Sequence, residues 1–120
     1  MRCLIVDDNE SFIAVARTVL EHGGLDVVGG ASTTAEALLE VEALRPEVVL
    51  VDIFLGDESG IELATALAAR RYKPAVILIS THAEADVSDL ISESGAAGFL
   101  PKAELEAGAI RRILDGNAPG

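Results

Sequence analysis

The chain of 120 residues is short of several things. It has one cysteine, no tryptophan, one tyrosine and three phenylalanines. Cys3 alone excludes an intrachain disulfide, and nothing points to an oxidising compartment. Positive charge is scarce, with nine Lys and Arg against 20 Asp and Glu and a formal net charge of −11. That balance argues against direct binding of nucleic acid, which needs clustered Lys and Arg to displace counterions from phosphates. No apolar run approaches the roughly 20 residues that span a bilayer. The N-terminus lacks a secretory signal's order of basic, apolar and small-residue regions, because Asp7 and Asp8 follow Val6 at once. These absences point to a cytoplasmic protein with no membrane contact.

What is present is a foldable chain. Half of the residues are apolar, which excludes general disorder despite the charge. The length suits one domain, able to bury roughly two-thirds of its unfolded surface. The stretch Gly116-Asn117-Ala118-Pro119-Gly120 alone reads as linker-like, so a domain over residues 1–115 with a tail of 116–120 is expected.

Five short apolar runs stand out: Cys3–Val6, Val27-Val28, Val48–Val51, Ala75–Ile79 and Gly98–Leu100. The first, third and fourth are continuous rather than alternating, as in strands buried on both faces, whereas the second and fifth are weaker and fit sheet edges. Helical spacing lies between them. Phe12, Ala16, Val19 and Leu20 recur on one face before His22-Gly23-Gly24. Thr33 with Glu36, and Ser59 with Glu62, have the spacing of capping boxes, and the first of these helices should end before Pro46. A short helix is expected around Val87, Leu90 and Ile91, ending near Gly95, and a last one carries Ile110, Ile113 and Leu114. Strand and helix thus alternate five times, which predicts an α/β fold with a parallel sheet and helices on both faces.

Ligands of such sheets bind beyond the carboxyl ends of the strands, where strand order reverses. Asp7 and Asp8 end the first strand, Asp52 the third, Ser80 and Thr81 the fourth, and Lys102 follows the fifth. Three carboxylates in one crevice repel, so either their pKa values rise or a cation sits among them. Hard oxygen donors with room for water suit Mg²⁺. A lysine and a hydroxyl facing the acids would complete an oxyanion or phosphoryl site. No Ser-His-Asp triad, Cys/His cluster or phosphate-cradling glycine loop accompanies them.

Taken together, Asp7-Asp8, Asp52, Ser80 and Lys102, each at a strand end, resemble the receiver domain of two-component response regulators. The stretches Leu4-Ile5-Val6-Asp7-Asp8-Asn9, Val49-Leu50-Val51-Asp52-Ile53 with Gly60 downstream, and Gly95–Lys102 carry the resemblance over essentially the whole chain. It implies a doubly wound, flavodoxin-like sheet of strand order 2-1-3-4-5. It implies that Asp52 accepts a phosphoryl group from a sensor histidine kinase or a histidine phosphotransfer protein. Asp8 would hold Mg²⁺ directly and Asp7 through water, with Asp52 and the backbone carbonyl of Phe54 as further donors. Lys102 would pair with the carboxylate and then the phosphoryl group, and Ser80 would donate its hydroxyl. Ser80 and Phe99 would form the switch that changes a protein-binding surface for an unidentified downstream protein. Phe54 and His82 would tune the lifetime of the phosphoryl group. Such a module promotes only its own phosphorylation and dephosphorylation, and dimerisation is a further possibility the family offers.

Three positions depart from the family's habit. Phe99 lacks the hydroxyl of the common tyrosine, Gly56 replaces a frequent proline and should loosen its loop, and Ala103 stands where proline often follows the lysine. The chain length favours a stand-alone regulator over the receiver portion of a transcription factor whose DNA-binding domain lies elsewhere. A small Mg²⁺-dependent phosphatase of the haloacid dehalogenase type would want an Asp at position 54, where Phe54 stands. A receiver-like module that no longer takes phosphate would be expected to have lost an acid or the lysine.

Overall fold

A computed structural model of the chain describes residues 1–81 and 88–116. The elements run β1 (Arg2–Val6), α1 (Glu10–His22), β2 (Asp26–Ala31), α2 (Thr34–Leu44), β3 (Val48–Asp52), β4 (Phe54–Leu55), β5 (Glu58–Ser59), α3 (Gly60–Ala68), β6 (Ala75–Ser80), α4 (Ser88–Glu93), β7 (Gly98–Pro101) and α5 (Ala107–Gly116). A short 3₁₀ turn, Lys102–Glu104, links β7 to α5. The main sheet has the order β2-β1-β3-β6-β7, every pair parallel. Since β4 and β5 form a separate hairpin, this is the 2-1-3-4-5 order of a flavodoxin-like fold, with its reversal between β1 and β3.

Strand alternation sorts the core into two layers. Leu4, Val6, Val49, Val51, Val76 and Leu78 face one side and pack with Ala37 and Val41 of α2, Leu63 and Leu67 of α3, and Ile91 of α4. Cys3, Ile5, Val48, Leu50, Ile77 and Ile79 face the other, against Ala16 and Leu20 of α1 and Ala109 and Ile110 of α5. Side chains apolar on both faces are the reason these three strands read as unbroken hydrophobic runs. Each large one contributes about 1.5–3 kcal/mol by leaving water. Burial also pushes the Cys3 thiol up to about 12, so it behaves as a small core residue.

The helix starts follow the capping signals. Thr33 accepts from the Glu36 amide at 3.1 Å and Ser59 from the Glu62 amide at 3.3 Å. Two elements differ from expectation. The second strand is longer than Val27-Val28, because its pairing with β1 continues through Gly29 and Gly30 to Ala31, with a shift of register between Cys3 and Leu4. Glycine's weak strand preference hid that extension. The β4–β5 hairpin was also not expected: Phe54 pairs with Ser59 and Leu55 with Glu58 around Gly56-Asp57. Gly56, with φ of 58°, turns a tight two-residue loop there, a conformation closed to proline, so the position is a defined turn rather than a loose one. Val87 and His82 lie outside the described residues. No described helix is long and apolar enough to cross a membrane.

Candidate functional site

The reversal between β1 and β3 leaves the carboxyl ends of two adjacent strands side by side, and the polar residues gather there. Asp7 and Asp8 follow β1, and Asp52 closes β3. One carboxylate oxygen from each lies within 4.8 Å of the others. Asp7 is fully buried, Asp52 is buried at 6% exposure, and Asp8 is open to solvent. Lys102 reaches in from the end of β7, its Nζ 2.7 Å from Asp7 Oδ2 and 3.0 Å from Asp52 Oδ2.

Local backbone holds the acids in place. The Asn9 amide donates to Asp7 Oδ1 at 2.9 Å, and the Phe54 amide donates to Asp52 Oδ1 at 3.0 Å. Asn9 in turn caps α1, its side chain accepting from the Phe12 amide at 3.1 Å. Gly60 explains itself at the same spot. A Cβ on this residue would lie 1.9 Å from the Asp52 carbonyl oxygen, so α3 can start against the strand end only if that residue has no side chain.

Charge is unbalanced in the crevice. Burial raises the Asp52 pKa above the usual carboxylate value, and the nearby Asp7 adds to it, while the Phe54 amide and Lys102 hold it back. For Lys102, burial pulls the pKa down, but its contacts with Asp7 and Asp52 outweigh that and the net shift is upward. Asp7 Oδ2 is buried, with the Lys102 ammonium 2.7 Å away. Three carboxylates with oxygens within 4.8 Å of one another, two of them buried, outnumber the one ammonium among them, a setting that a divalent cation fits.

The other expected residues fall close by or elsewhere. Ser80 ends β6, is buried at 1% exposure and pairs in register with Pro101, the residue before Lys102. Phe54, two residues after Asp52, is half-exposed. Phe99 lies on the sheet side covered by α2, α3 and α4, partly buried against that layer. Every peptide bond among the described residues is trans, including the one that joins Lys102 to Ala103. One neighbour was not anticipated: the ring of Phe12 on α1 lies 4.3 Å from Lys102 Nζ. Its helical spacing marked it as a core residue, and nothing local in the sequence links it to a lysine at the far end of the chain.

Residues 3–114 match the family model of the response regulator receiver domain. The transcriptional regulatory protein NarL of Mycobacterium tuberculosis is 32% identical over 116 residues, covering 96% of this chain and 54% of NarL. The solved receiver domain of NarL superposes with a TM-score of 0.83 at 31% identity, covering 96% of this chain and 94% of that domain. EvgA of Escherichia coli K12, a DNA-binding transcriptional activator, is 27% identical over 104 residues, 87% of this chain and 51% of EvgA. A response regulator of Burkholderia pseudomallei, solved with a phosphorylated aspartic acid and a calcium ion, superposes with a TM-score of 0.81 at 27% identity, covering 94% of this chain and 65% of that protein. The chain spans about half the length of the curated relatives it matches.

Proposed function

The chain belongs to the response regulator receiver family of two-component signalling, and from that membership we propose that Asp52 is its phosphoacceptor. The observation that carries this reading is the cluster itself: Asp52 is held between a backbone amide and Lys102, beside two further acids. A carboxylate oxygen of Asp52 attacks the phosphorus of a phosphohistidine on a histidine kinase or phosphotransfer protein. The new P–O bond forms as the P–N bond breaks, and the imidazole nitrogen keeps the electron pair.

Mg²⁺, when bound, supplies the positive charge that offsets repulsion between the acids and the phosphoryl oxygens. Asp8, Asp7 and Asp52, with the Phe54 carbonyl, would hold it. The remaining steps belong to the chain. Lys102 follows the negative charge from the Asp52 carboxylate to the phosphoryl group. Ser80, on the neighbouring strand, turns its hydroxyl toward the same group. The aspartyl phosphate brings extra negative charge to the crevice, about −1.5 to −2 by analogy with other phosphorylated side chains. The chain then shifts toward a packing in which Phe99 turns inward and the α4–β7–α5 surface changes partners.

Incubation with Mg²⁺ and a small phosphodonor, read by intact mass, tests the assignment. One added phosphoryl group that is absent in Asp52→Asn is expected. No Mg²⁺-dependent gain would point instead to a module that works without phosphate, and turnover of a phosphomonoester would point to a phosphatase. Phe54, two residues after Asp52 and half-exposed, bears on the lifetime of the product, since a bulky side chain at that position restricts attacking water. Phosphorylated Phe54→Asn should lose its phosphate about threefold faster or more, an effect of roughly 0.7 kcal/mol; equal decay rates would remove that role.

A further inference from the structure

Lys102 has lost most of its hydration, since its side chain is only 14% exposed. Two of its three N–H groups have carboxylate partners, Asp7 Oδ2 at 2.7 Å and Asp52 Oδ2 at 3.0 Å. The Phe12 ring lies beside the same ammonium, its centroid 4.3 Å from Nζ. The ring face carries negative charge, so it attracts the ammonium where water has been excluded. It does so without offering a lone pair in a fixed direction, as an amide or carboxylate would.

Besides packing on the core layer under α1, Phe12 is linked to the acid site by a chain of contacts. The Asn9 amide binds Asp7 Oδ1, the Asn9 side chain accepts from the Phe12 amide, the Phe12 ring meets Lys102, and Lys102 returns to Asp7 Oδ2. This closed circuit ties the start of α1 to the lysine through four contacts. An aliphatic side chain at position 12 would fill similar space but leave that side of the ammonium without attraction. A polar one would bind an N–H that the phosphoryl group needs.

We infer that Phe12 is a positioning residue for phosphoryl transfer, its ring face holding the Lys102 ammonium over Asp52 while one N–H stays available to an incoming phosphoryl oxygen. The inference rests on the phosphoacceptor reading of Asp52. With acetyl phosphate as donor, the Asp52–phosphorus bond forms as the bond from phosphorus to the acetyl oxygen breaks, and acetate leaves with the electron pair. Phe12 takes no part in bond making and acts only through Lys102.

The test uses the full chain with Mg²⁺ and acetyl phosphate, and follows phosphoryl uptake by intact mass. Phe12→Leu should take up phosphate roughly threefold to tenfold more slowly. Phe12→Tyr should stay close to the unaltered chain. Ring-fluorinated phenylalanines at position 12, carrying one to three fluorines, should slow stepwise, because fluorine drains the ring face of negative charge while nearly keeping its shape. A thermal melt of each variant separates misfolding from mispositioning, and the fluorinated series keeps the test decisive even where Phe12→Leu unfolds. Equal rates across the fluorinated series would reduce Phe12 to core packing and overturn the inference. An unaltered chain that takes up no phosphate would overturn the phosphoacceptor reading, and this inference with it.

Discussion

At the carboxyl end of the sheet Asp7 and Asp52 are buried around a single lysine, whereas at the opposite end Arg70 and Glu42 meet at 2.7 Å with both side chains substantially exposed. The two ends use the same kinds of group in opposite settings. Exposed pairs sit in high dielectric and contribute little, while buried charges raise the energy of the fold unless something else compensates. The distribution of buried charge therefore marks the end that carries the candidate site. The opposite end also holds local strain: Arg45 ends α2 in the left-handed region, with φ of 45°, its guanidinium 5.4 Å from the Tyr72 ring and its carbonyl accepting from the Tyr72 hydroxyl.

Four substitutions would break or sharpen this contrast. The largest effect is expected from Gly60→Ala, whose new methyl would strike the Asp52 carbonyl. It should destabilise the chain by about 2–4 kcal/mol in urea unfolding and sharply reduce phosphoryl uptake. An unchanged urea midpoint would mean that α3 can shift away without harm.

Asp52→Asn should act in the opposite direction, stabilising the chain by on the order of 1 kcal/mol near neutral pH while abolishing uptake. The sign follows from the pKa. Burial raises Asp52 above the usual 3.8, so the folded state binds its proton more readily than the unfolded state does. The penalty is absent below that usual value and is fully present once pH has risen through the raised folded value. The advantage of Asp52→Asn over the unaltered chain should therefore grow with rising pH across that window. Unfolding curves at several pH values, without Mg²⁺, would show it; an advantage that shrank with pH would contradict the assignment.

At the other end, Arg45→Gly should stabilise by roughly 0.5 kcal/mol, the relief of a left-handed residue less the lost contact with Tyr72. It should leave phosphoryl uptake unchanged. Glu42→Gln should do least. Arg70 holds the Glu42 carboxyl below the usual range, so any stabilisation is present above that range and is lost as pH falls through the depressed value. Because Glu42 is exposed, the Glu42→Gln melting midpoint should be indistinguishable from that of the unaltered chain. A clear loss would show that exposed charge matters here as much as buried charge.

Much of the fold was legible along the chain because burial on both faces leaves a local trace. Val48–Val51 and Ala75–Ile79 could be read as central strands from continuity alone, and Thr33 and Ser59 as helix starts from the spacing of their caps. The β4–β5 hairpin left no such trace, since two-residue strands are too short to show a period. The full extent of β2 was hidden by Gly29 and Gly30, which β1 holds in the strand despite their weak preference for it.

The candidate site divides in the same way. Asp7, Asp8, Asp52, Ser80 and Lys102 each end or follow a strand, so their residue types and their order along the chain set which groups reach the crevice. That much the sequence determined by itself, because strand ends are local and parallel strands all point one way. Only the tertiary structure decided that Asp7 would be fully buried against Lys102, that Gly60 would press on the Asp52 carbonyl, and that Phe12 would meet Lys102. Those are distances between elements remote in sequence, and they exist only once the sheet order has brought α1, β3 and the end of β7 to one edge.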